Sequence, residues 1–324
     1  MSSTIEYENI AAPTEAPRNE DQAHACFLVT SARKAHADLE ATGYAIVPNI
    51  LSPDRVKRLR EMFFTWFASV PGLPQHHAAV SPHSIFKYHE VGHAPFMWQM
   101  RVWVADFWRA FYEQEVTTSF DGCCYVEKTS EATDNLWTHT DQRITDSASL
   151  CVQGFAALTA NRERTLVVYP GSHRFHADFG ATVVDPKIRA KSFVRIPQSY
   201  LDRLAGGHGI RPVALKVPVG ALALWDSRVF HQNRYGRPGE ERLVLYTCML
   251  PREAHRNSAA QRTKRVKYFR ERRTTSHWPY RIKVNSKQPR SYGTTGDKDM
   301  KIDYAALPTQ TQAVSEDRIL RLIT

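Results

Sequence analysis

The chain predicts a mainly β protein, an antiparallel sandwich or jelly roll with flanking helices and a basic C-terminal extension. Three observations carry this. From about residue 117, short β-type runs follow one another between turn residues, with no helical stretches alternating between them. That is the pattern of antiparallel sheets rather than of βαβ units. Upstream, two stretches place apolar residues at the helical period. The charge is also confined. Residues 252–290 hold thirteen Lys/Arg against two acids, a balance of +11, so a net charge of +10 leaves −1 for everything else.

The opening MSSTIEYENIAAPTEAPRNEDQ is polar and mildly acidic, without a basic start or an apolar core. It reads as part of a flexible lead-in over residues 1–30 rather than a secretion signal. Residues 31–251 form the expected body, helical over about 31–116 and jelly roll over about 117–251. Within it GYAIVP reads as a short strand. Ser52 as N-cap and Pro53 at the first helical position then open a helix. Its apolar face is Val56, Leu59, Phe63, Trp66, Phe67 and Val70, and Pro71-Gly72 ends it. The aromatic stretch PFMWQMRVWVADFWRAFYEQ reads as one or two helices packed against a sheet.

The strand candidates are TSFDGCCYVEK, SASLCVQGFAALT, RTLVVYP, PVALKVP, ALALWDSRVFHQN and ERLVLYTCML. Residues 252–324 form the basic, partly helical extension. A helix is expected from about Glu253 to Arg273, a Gly/Thr/Asp-rich linker at SYGTTGDKD, and a short helix near Ser315–Leu322.

An apolar content of 42% is enough for a sizeable core and excludes a disordered chain. No apolar run is long enough to span a bilayer. Five cysteines without CxxC spacing read as reduced, buried thiols. That usage points to an intracellular, cytoplasmic protein, with the nucleus left open.

His139-Thr140-Asp141 is the first chemical candidate. On a strand, residues i and i+2 share a face, so the imidazole and the carboxylate can reach one ion. Two histidines and a carboxylate on one face of Fe(II) leave three positions for a bidentate 2-oxo acid and O2. Taken alone, HxD is equally the composition of an exposed turn. VPVGALALWDSRVFHQN adds a strand that ends at His231, and Arg242 follows eleven residues later. A hairpin closing at Gly236/Arg237 would set Arg242 opposite His231, on the same face; alternatively the loop crosses between sheets and leaves both near one rim. There a guanidinium can clamp a carboxylate through two parallel hydrogen bonds. The competing reading of Arg242 is a surface partner of Glu240 or Glu241. TLVVYPGSHRF is a strand running into a Pro-Gly turn.

Together, GYAIVPNILSPDRVKRLR, HTD, PGSH and GALALWDSRVFHQN with Arg242 resemble the phytanoyl-CoA dioxygenase-like family over roughly residues 38–250. The resemblance implies a double-stranded β-helix, the cupin-like jelly roll, with helices covering one side. It also implies Fe(II) held by His139, Asp141 and His231, with 2-oxoglutarate anchored by Arg242 as co-substrate beside O2. The implied reaction is hydroxylation of an unactivated C–H bond, with succinate and CO2 as co-products. An Asp in this slot implies hydroxylation rather than chlorination. Relatives usually carry an Asn-Gly turn where this chain has Asn161-Arg162-Glu163-Arg164. Lys87 is a second candidate for the co-substrate, as a lysine in that region serves some relatives. Gln153, Trp137 and Gln142 are candidates for the cleft, and Asn233 for steadying the loop after His231. His173 reads as a turn-bonding histidine, and His76, His77 and His83 as solvated.

Two other readings compete. One is a cupin-like metal protein that does not use 2-oxoglutarate. The other is a binding module whose basic segment binds a polyanion. RTKRVKYFRERR interleaves Tyr268 and Phe269 with seven basic residues, and Trp278 and Tyr280 follow. Cations beside stacking rings suit single-stranded nucleic acid. They equally suit a small anionic substrate or a packed helix. The expected partners are therefore a small-molecule or anionic substrate, with nucleic acid as an option and no membrane.

Overall fold

Alternation of inward and outward residues along eleven short strands builds two facing antiparallel sheets. The computed structural model describes residues 20–80, 82–289 and 301–324. The first strands are β1 (Tyr44–Val47), β2 (Ile85–Phe86), β3 (Val116–Thr118), β4 (Cys123–Val126), β5 (His139–Thr140), β6 (Val152–Ala157) and β7 (Thr165–Val168). Then come β8 (Val194–Arg195), β9 (Val213–Ala214), β10 (Leu222–Asp226), β11 (His231–Arg234), β12 (Arg242–Thr247) and β13 (Met249–Pro251). One sheet runs β1-β10-β6-β12-β4-β2 and the facing one β8-β5-β11-β7-β9, while β13 pairs with β3. This is a double-stranded β-helix with flanking helices.

The six-stranded sheet is apolar on both faces. Leu243 and Leu245 on β12 face the helices, whereas Val244 packs inward with Phe155, Ala157 and Trp225. The covering helices are α1 (Glu20–Thr42), α2 (Pro53–Ser69), α3 (Leu73–Val80) and α4 (Pro95–Tyr112). In α2 the Ser52 hydroxyl accepts from Arg55 N at 3.3 Å, as the N-cap reading requires. The face Val56, Leu59, Phe63, Trp66 and Phe67 is buried. The aromatic stretch is one helix, α4, whose Phe96, Trp98, Phe107 and Trp108 are almost wholly buried.

Residues 20–30 lie inside α1, not in a flexible lead-in. Leu28, Ala32, Ala35 and Leu39 return every three to four residues and bury against the body. α1 ends at Gly43, whose φ is +84; a Cβ there would meet Val229 Cγ2 at 2.4 Å and the His173 ring at 2.6 Å.

The run ALALWDSRVFHQN is two strands in different sheets. Asp226 breaks it: its Oδ1 accepts from Arg228 N at 2.8 Å, its backbone carbonyl accepts from Val229 N, and the turn carries β11 across to the facing sheet. His231 and Arg242 are accordingly not opposed in a hairpin. His231 pairs with His139 and Val168, and Arg242 pairs with Val126.

α5 (His176–Thr182), α6 (Pro186–Arg189) and α7 (Gln198–His208) pack outside the five-stranded sheet through Phe179, Tyr200, Leu201 and Leu204. The basic extension forms α8 (Ala259–Arg270) and α9 (Glu316–Ile323). α8 is shorter than expected because Ser258 caps it and Arg272 leaves the helix at φ 48. The expected linker at SYGTTGDKD lies outside the described residues.

This extension packs into the body. Phe269 and Tyr268 join Trp98, Phe120, Ile319 and Ile323, while Trp278 and Tyr280 join Leu150, Cys151, Cys248 and Leu250. Arg265 is buried and donates to Ile323 O, Pro279 O and Asn257 Oδ1. Arg272 meets Glu90, and Arg281 meets Asp146. Of the rings expected to stack on bases, Trp278 and Tyr280 are buried and Tyr268 and Phe269 are partly buried against the body, so nucleic-acid binding through 252–290 is not supported. No disulfide links the five cysteines. Among the described residues, no helix is long and apolar enough to cross a membrane.

Candidate metal centre

The ends of β5 and β11 meet at the mouth of the barrel, with His139 and His231 directly paired. Asp141 follows β5, its amide bonded to Ser227 O at 3.2 Å. His139 Nε2 lies 3.6 Å from Asp141 Oδ1, and His231 Nε2 lies 3.3 Å from Asp141 Oδ2. One donor atom from each of the three residues falls within 4.8 Å of the others.

Both imidazoles are held in the same way. His139 Nδ1 bonds Trp137 O at 3.0 Å and His231 Nδ1 bonds Val229 O at 2.9 Å, each the carbonyl two residues upstream. Bonding a carbonyl requires the proton on Nδ1, which leaves both Nε2 lone pairs facing Asp141. This is the outer-shell arrangement that orients metal-binding histidines. Burial and the neighbouring His231 push the His139 pKa down, against Asp141. Burial alone would raise the Asp141 carboxyl. The close polar rings of His139, His277 and His231 instead hold it well below the usual carboxylate range. Two Nε2 atoms turned toward an ionised carboxylate are the donor set a divalent ion requires.

Gln153, expected to line the cleft and touch the co-substrate, donates from Nε2 to Asp141 Oδ2 at 3.1 Å. Gln142 does not line the cleft. It is buried beneath, bonding Asp146 O, Ala148 O, Leu150 N and the Ser227 hydroxyl, and so shapes the loop after Asp141. Trp137 stacks on His139 at 4.8 Å, and His83 stacks on Trp137 at 3.8 Å. His83, read as solvated, is thus at the mouth, and burial pushes its pKa down to about 4. His77 stacks on Phe86 at 6.0 Å and sits 3.7 Å from Glu127. His173 Nε2 bonds Glu40 O at 3.2 Å, tying the PGSH turn to α1.

Arg242 lies inside the barrel on the inward face that continues through Val244 and Tyr246. Its Nε donates to Asn161 Oδ1 at 2.7 Å, and its guanidinium lies 5.5 Å from the Phe155 ring centre. Its Nη2 is buried without a hydrogen-bond partner. The acids expected as surface partners are engaged elsewhere. Glu240 accepts from the amides of Arg162, Glu163 and Arg164, and Glu241 pairs with Arg60 at 2.8 Å. Glu240 therefore organises the turn where relatives carry Asn-Gly. Between Arg242 and the triad, Asn233 Nδ2 donates to the Tyr246 hydroxyl at 3.2 Å. Asn233 thus faces the barrel interior instead of steadying a loop.

Lys87 lies near Asp141: desolvation pushes the pKa of its ammonium down, Asp141 opposes the shift and Lys283 adds to it. His277 was missed altogether. It comes from the extension, its Nε2 is buried without a partner, and burial near Lys87 and the triad lowers its pKa to about 4. No local pattern around SHWPY signals this, because only the packing of the extension brings His277 to the mouth.

Fold and site together define a class: a double-stranded β-helix with a two-histidine, one-carboxylate group at its mouth. No family model matches the chain. A curated relative, Ava biosynthesis cluster protein O of Aspergillus versicolor, is 23% identical over 260 residues, covering 74% of this chain and 83% of that protein. Among solved structures, the chain is similar to EctD from S. alaskensis with 2-oxoglutarate and 5-hydroxyectoine. The TM-score is 0.47 at 19% identity, covering 74% of this chain and 79% of that one. It is also similar to the non-haem α-ketoglutarate-dependent carbocyclase SnoK from nogalamycin biosynthesis, at TM-score 0.46 and 14% identity over 68% and 83% of the two chains. HygX from Streptomyces hygroscopicus with nickel and 2-oxoglutarate bound gives TM-score 0.46 and 15% identity over 68% and 87%.

Proposed function

We propose that the protein is an Fe(II)- and 2-oxoglutarate-dependent oxygenase that hydroxylates a C–H bond of a small molecule. One observation carries this reading: the three-donor group shares a barrel with a buried guanidinium that no carboxylate among the described residues neutralises. A buried cation left unpaired is costly, so its retention points to an anionic ligand that completes it. A cupin-like metal protein without 2-oxoglutarate has no use for such a clamp. A binding module acting through residues 252–290 is disfavoured because its rings pack against the body.

The residues fit iron: two Nε2 lone pairs fixed by backbone carbonyls, one ionised carboxylate, and a side left open for further ligands. His139, Asp141 and His231 would hold Fe(II), which with O2 and 2-oxoglutarate supplies the oxidising power to functionalise an unactivated C–H bond, yielding succinate and CO2. Every other part is supplied by the chain. Nδ1–H donation to Trp137 O and Val229 O keeps both imidazoles oriented with Nε2 toward Asp141, and Gln153 steadies the Asp141 carboxylate. Arg242, positioned by Asn161 and Phe155, clamps the distal carboxylate of the co-substrate, and Lys87 adds a second positive charge. Trp137 and Trp225 shield the histidines from water: their rings lie 4.8 Å from His139 and 5.4 Å from His231.

Anaerobic loading with Fe(II), then air, 2-oxoglutarate and a library of small molecules, tests the reading through succinate release. Stimulated succinate and a product heavier by one oxygen are expected. Metal-loaded protein that neither binds nor consumes 2-oxoglutarate would overturn it.

A further inference from the structure

The mouth of the barrel gathers two kinds of side chain around His139, and the first is aromatic rings. Trp137 stacks on His139, and the Phe193 ring lies 4.5 Å from His139 while remaining 44% exposed. An exposed phenylalanine against a metal-site histidine is a ready contact for an apolar ligand. The second kind is cations. Arg195 pairs directly with His139 across β5 and β8, so the two side chains share the sheet face that opens at the triad.

The second cationic element comes from the extension. Residues 274–285 form a hairpin, with Ser276 N on Lys283 O at 2.8 Å and Asn285 N on Thr274 O at 3.0 Å. The body grips it firmly. Thr275 N donates to Phe120 O, Phe120 N to Thr275 Oγ1 and Gly92 N to Thr274 Oγ1. Trp278 and Tyr280 are buried beside Leu150 and Cys151, next to the start of β6, and Arg281 pairs with Asp146 at 3.1 Å. This anchoring brings His277 beside the triad and Lys283 beside Lys87. His277 presents its unpartnered Nε2 there, and His277, Asp141 and Lys87 perturb one another electrostatically, as do Lys87 and Lys283. His83 responds to both Lys87 and Arg195, which closes the arc. Neither Arg195 nor Lys283 enters an ion pair among the described residues. Asp141, beside Lys87, belongs to the triad, and Glu90 is taken by Arg272.

With the triad as the reacting centre, as proposed above, we infer that the substrate is an amphiphilic organic anion. Its apolar body lies over Trp137 and Phe193, and its carboxylate or phosphate is met by Arg195 and Lys283, with His277 Nε2 adding a hydrogen bond. The hairpin 274–285 is accordingly a wall of the reaction chamber, and the extension takes part in substrate selection.

The probes are 4-phenylbutyrate and phenyl phosphate, with 4-phenylbutanol as the neutral control. Each is titrated calorimetrically into the full chain in two forms. One is the parent loaded anaerobically with Fe(II) and 2-oxoglutarate. The other is metal-free protein carrying Arg242→Gln, in which the barrel guanidinium cannot capture the probe. At least one anion is expected to bind tenfold or more tightly than the alcohol. The double variant Arg195→Gln/Lys283→Gln should lose at least tenfold in anion affinity and keep the affinity for 2-oxoglutarate, while Phe193→Ser weakens anion and alcohol alike. Equal binding of anions and alcohol, no binding of either anion to the loaded parent, or unchanged binding by the double variant overturns the inference. If the parent fails to hold 2-oxoglutarate while anion binding still depends on Arg195 and Lys283, the oxygenase reading falls and the anion site stands.

Discussion

Arg242→Met separates the work of the guanidinium from its place in the fold. The side chains are similar in length, so the change removes charge and donors without opening a large hole. Two local effects on stability oppose each other. The variant removes a buried, unpartnered Nη2 but orphans Asn161 Oδ1, which accepts from Nε at 2.7 Å. An unsatisfied buried polar group costs about 1–3 kcal/mol, so the two effects nearly cancel. With roughly 2–4 °C of melting shift per kcal/mol in a larger domain, the expected change is a few degrees in either direction. Ligand binding has no such compensation. Removing one partner of a desolvated charge pair costs on the order of 2–5 kcal/mol. At about 1.4 kcal/mol per factor of ten, the dissociation constant of 2-oxoglutarate should rise at least about thirtyfold. Arg242→Lys should fall between, because an ammonium keeps charge and loses the two-pronged geometry. The assay is calorimetric titration of 2-oxoglutarate into anaerobic, Fe(II)-loaded protein, alongside a thermal melt. A dissociation constant within threefold of the parent, at unchanged iron content, would refute the clamp.

Replacing His139, Asp141 or His231 with Ala should abolish tight Fe(II) binding with the melt retained, and parental iron binding by His231→Ala would remove that ligand from the set. Gln153→Ala should weaken metal affinity by about ten- to a hundredfold through the freed Asp141 carboxylate, read by competition with a chelating dye. His93 is buried and its pKa is pushed down to about 3. The unfolded imidazole, near 6.5, therefore takes up a proton before the folded one, and stability falls as pH drops through 6.5. Between pH 7 and 5.5 this one group should cost about 1 kcal/mol; urea midpoints that fall equally for the parent and for His93→Gln would contradict it. Arg265→Ala, which strips donors from Ile323 O, Pro279 O and Asn257, should cost about 3–5 kcal/mol, and an unchanged melt would show that α8 and α9 are not coupled through it.

The local signals in the sequence were reliable where one stretch of chain decides the outcome. Ser52 and Pro53 start α2, alternation along RLVLYT sets the faces of β12, and His139 and Asp141 converge because they are two residues apart. What was hidden depends on partners distant in sequence. Asp226 turns one apparent strand into two, which moved Arg242 away from the face of His231 and deep into the barrel. Glu240 resembled a salt-bridge partner for Arg242, yet three backbone amides around Glu163 satisfy it. Tyr268, Phe269, Trp278 and Tyr280 have the composition of a stacking platform, and only their packing on α4 and α9 and on the strands around Leu150 and Leu250 reveals that the body covers them. His83 and His277 carry no spacing signature at all.

The hairpin 274–285 also imposes an order on biosynthesis. His139, Asp141 and His231 all leave the ribosome before His277, Trp278 and Tyr280 do, so the nascent chain passes through a stage with its donors translated and one wall of the chamber missing. Iron captured during that interval would face water and dissolved oxygen without the enclosure that directs the oxidant toward a bound molecule. Metal loaded only after the extension has docked would escape that exposure.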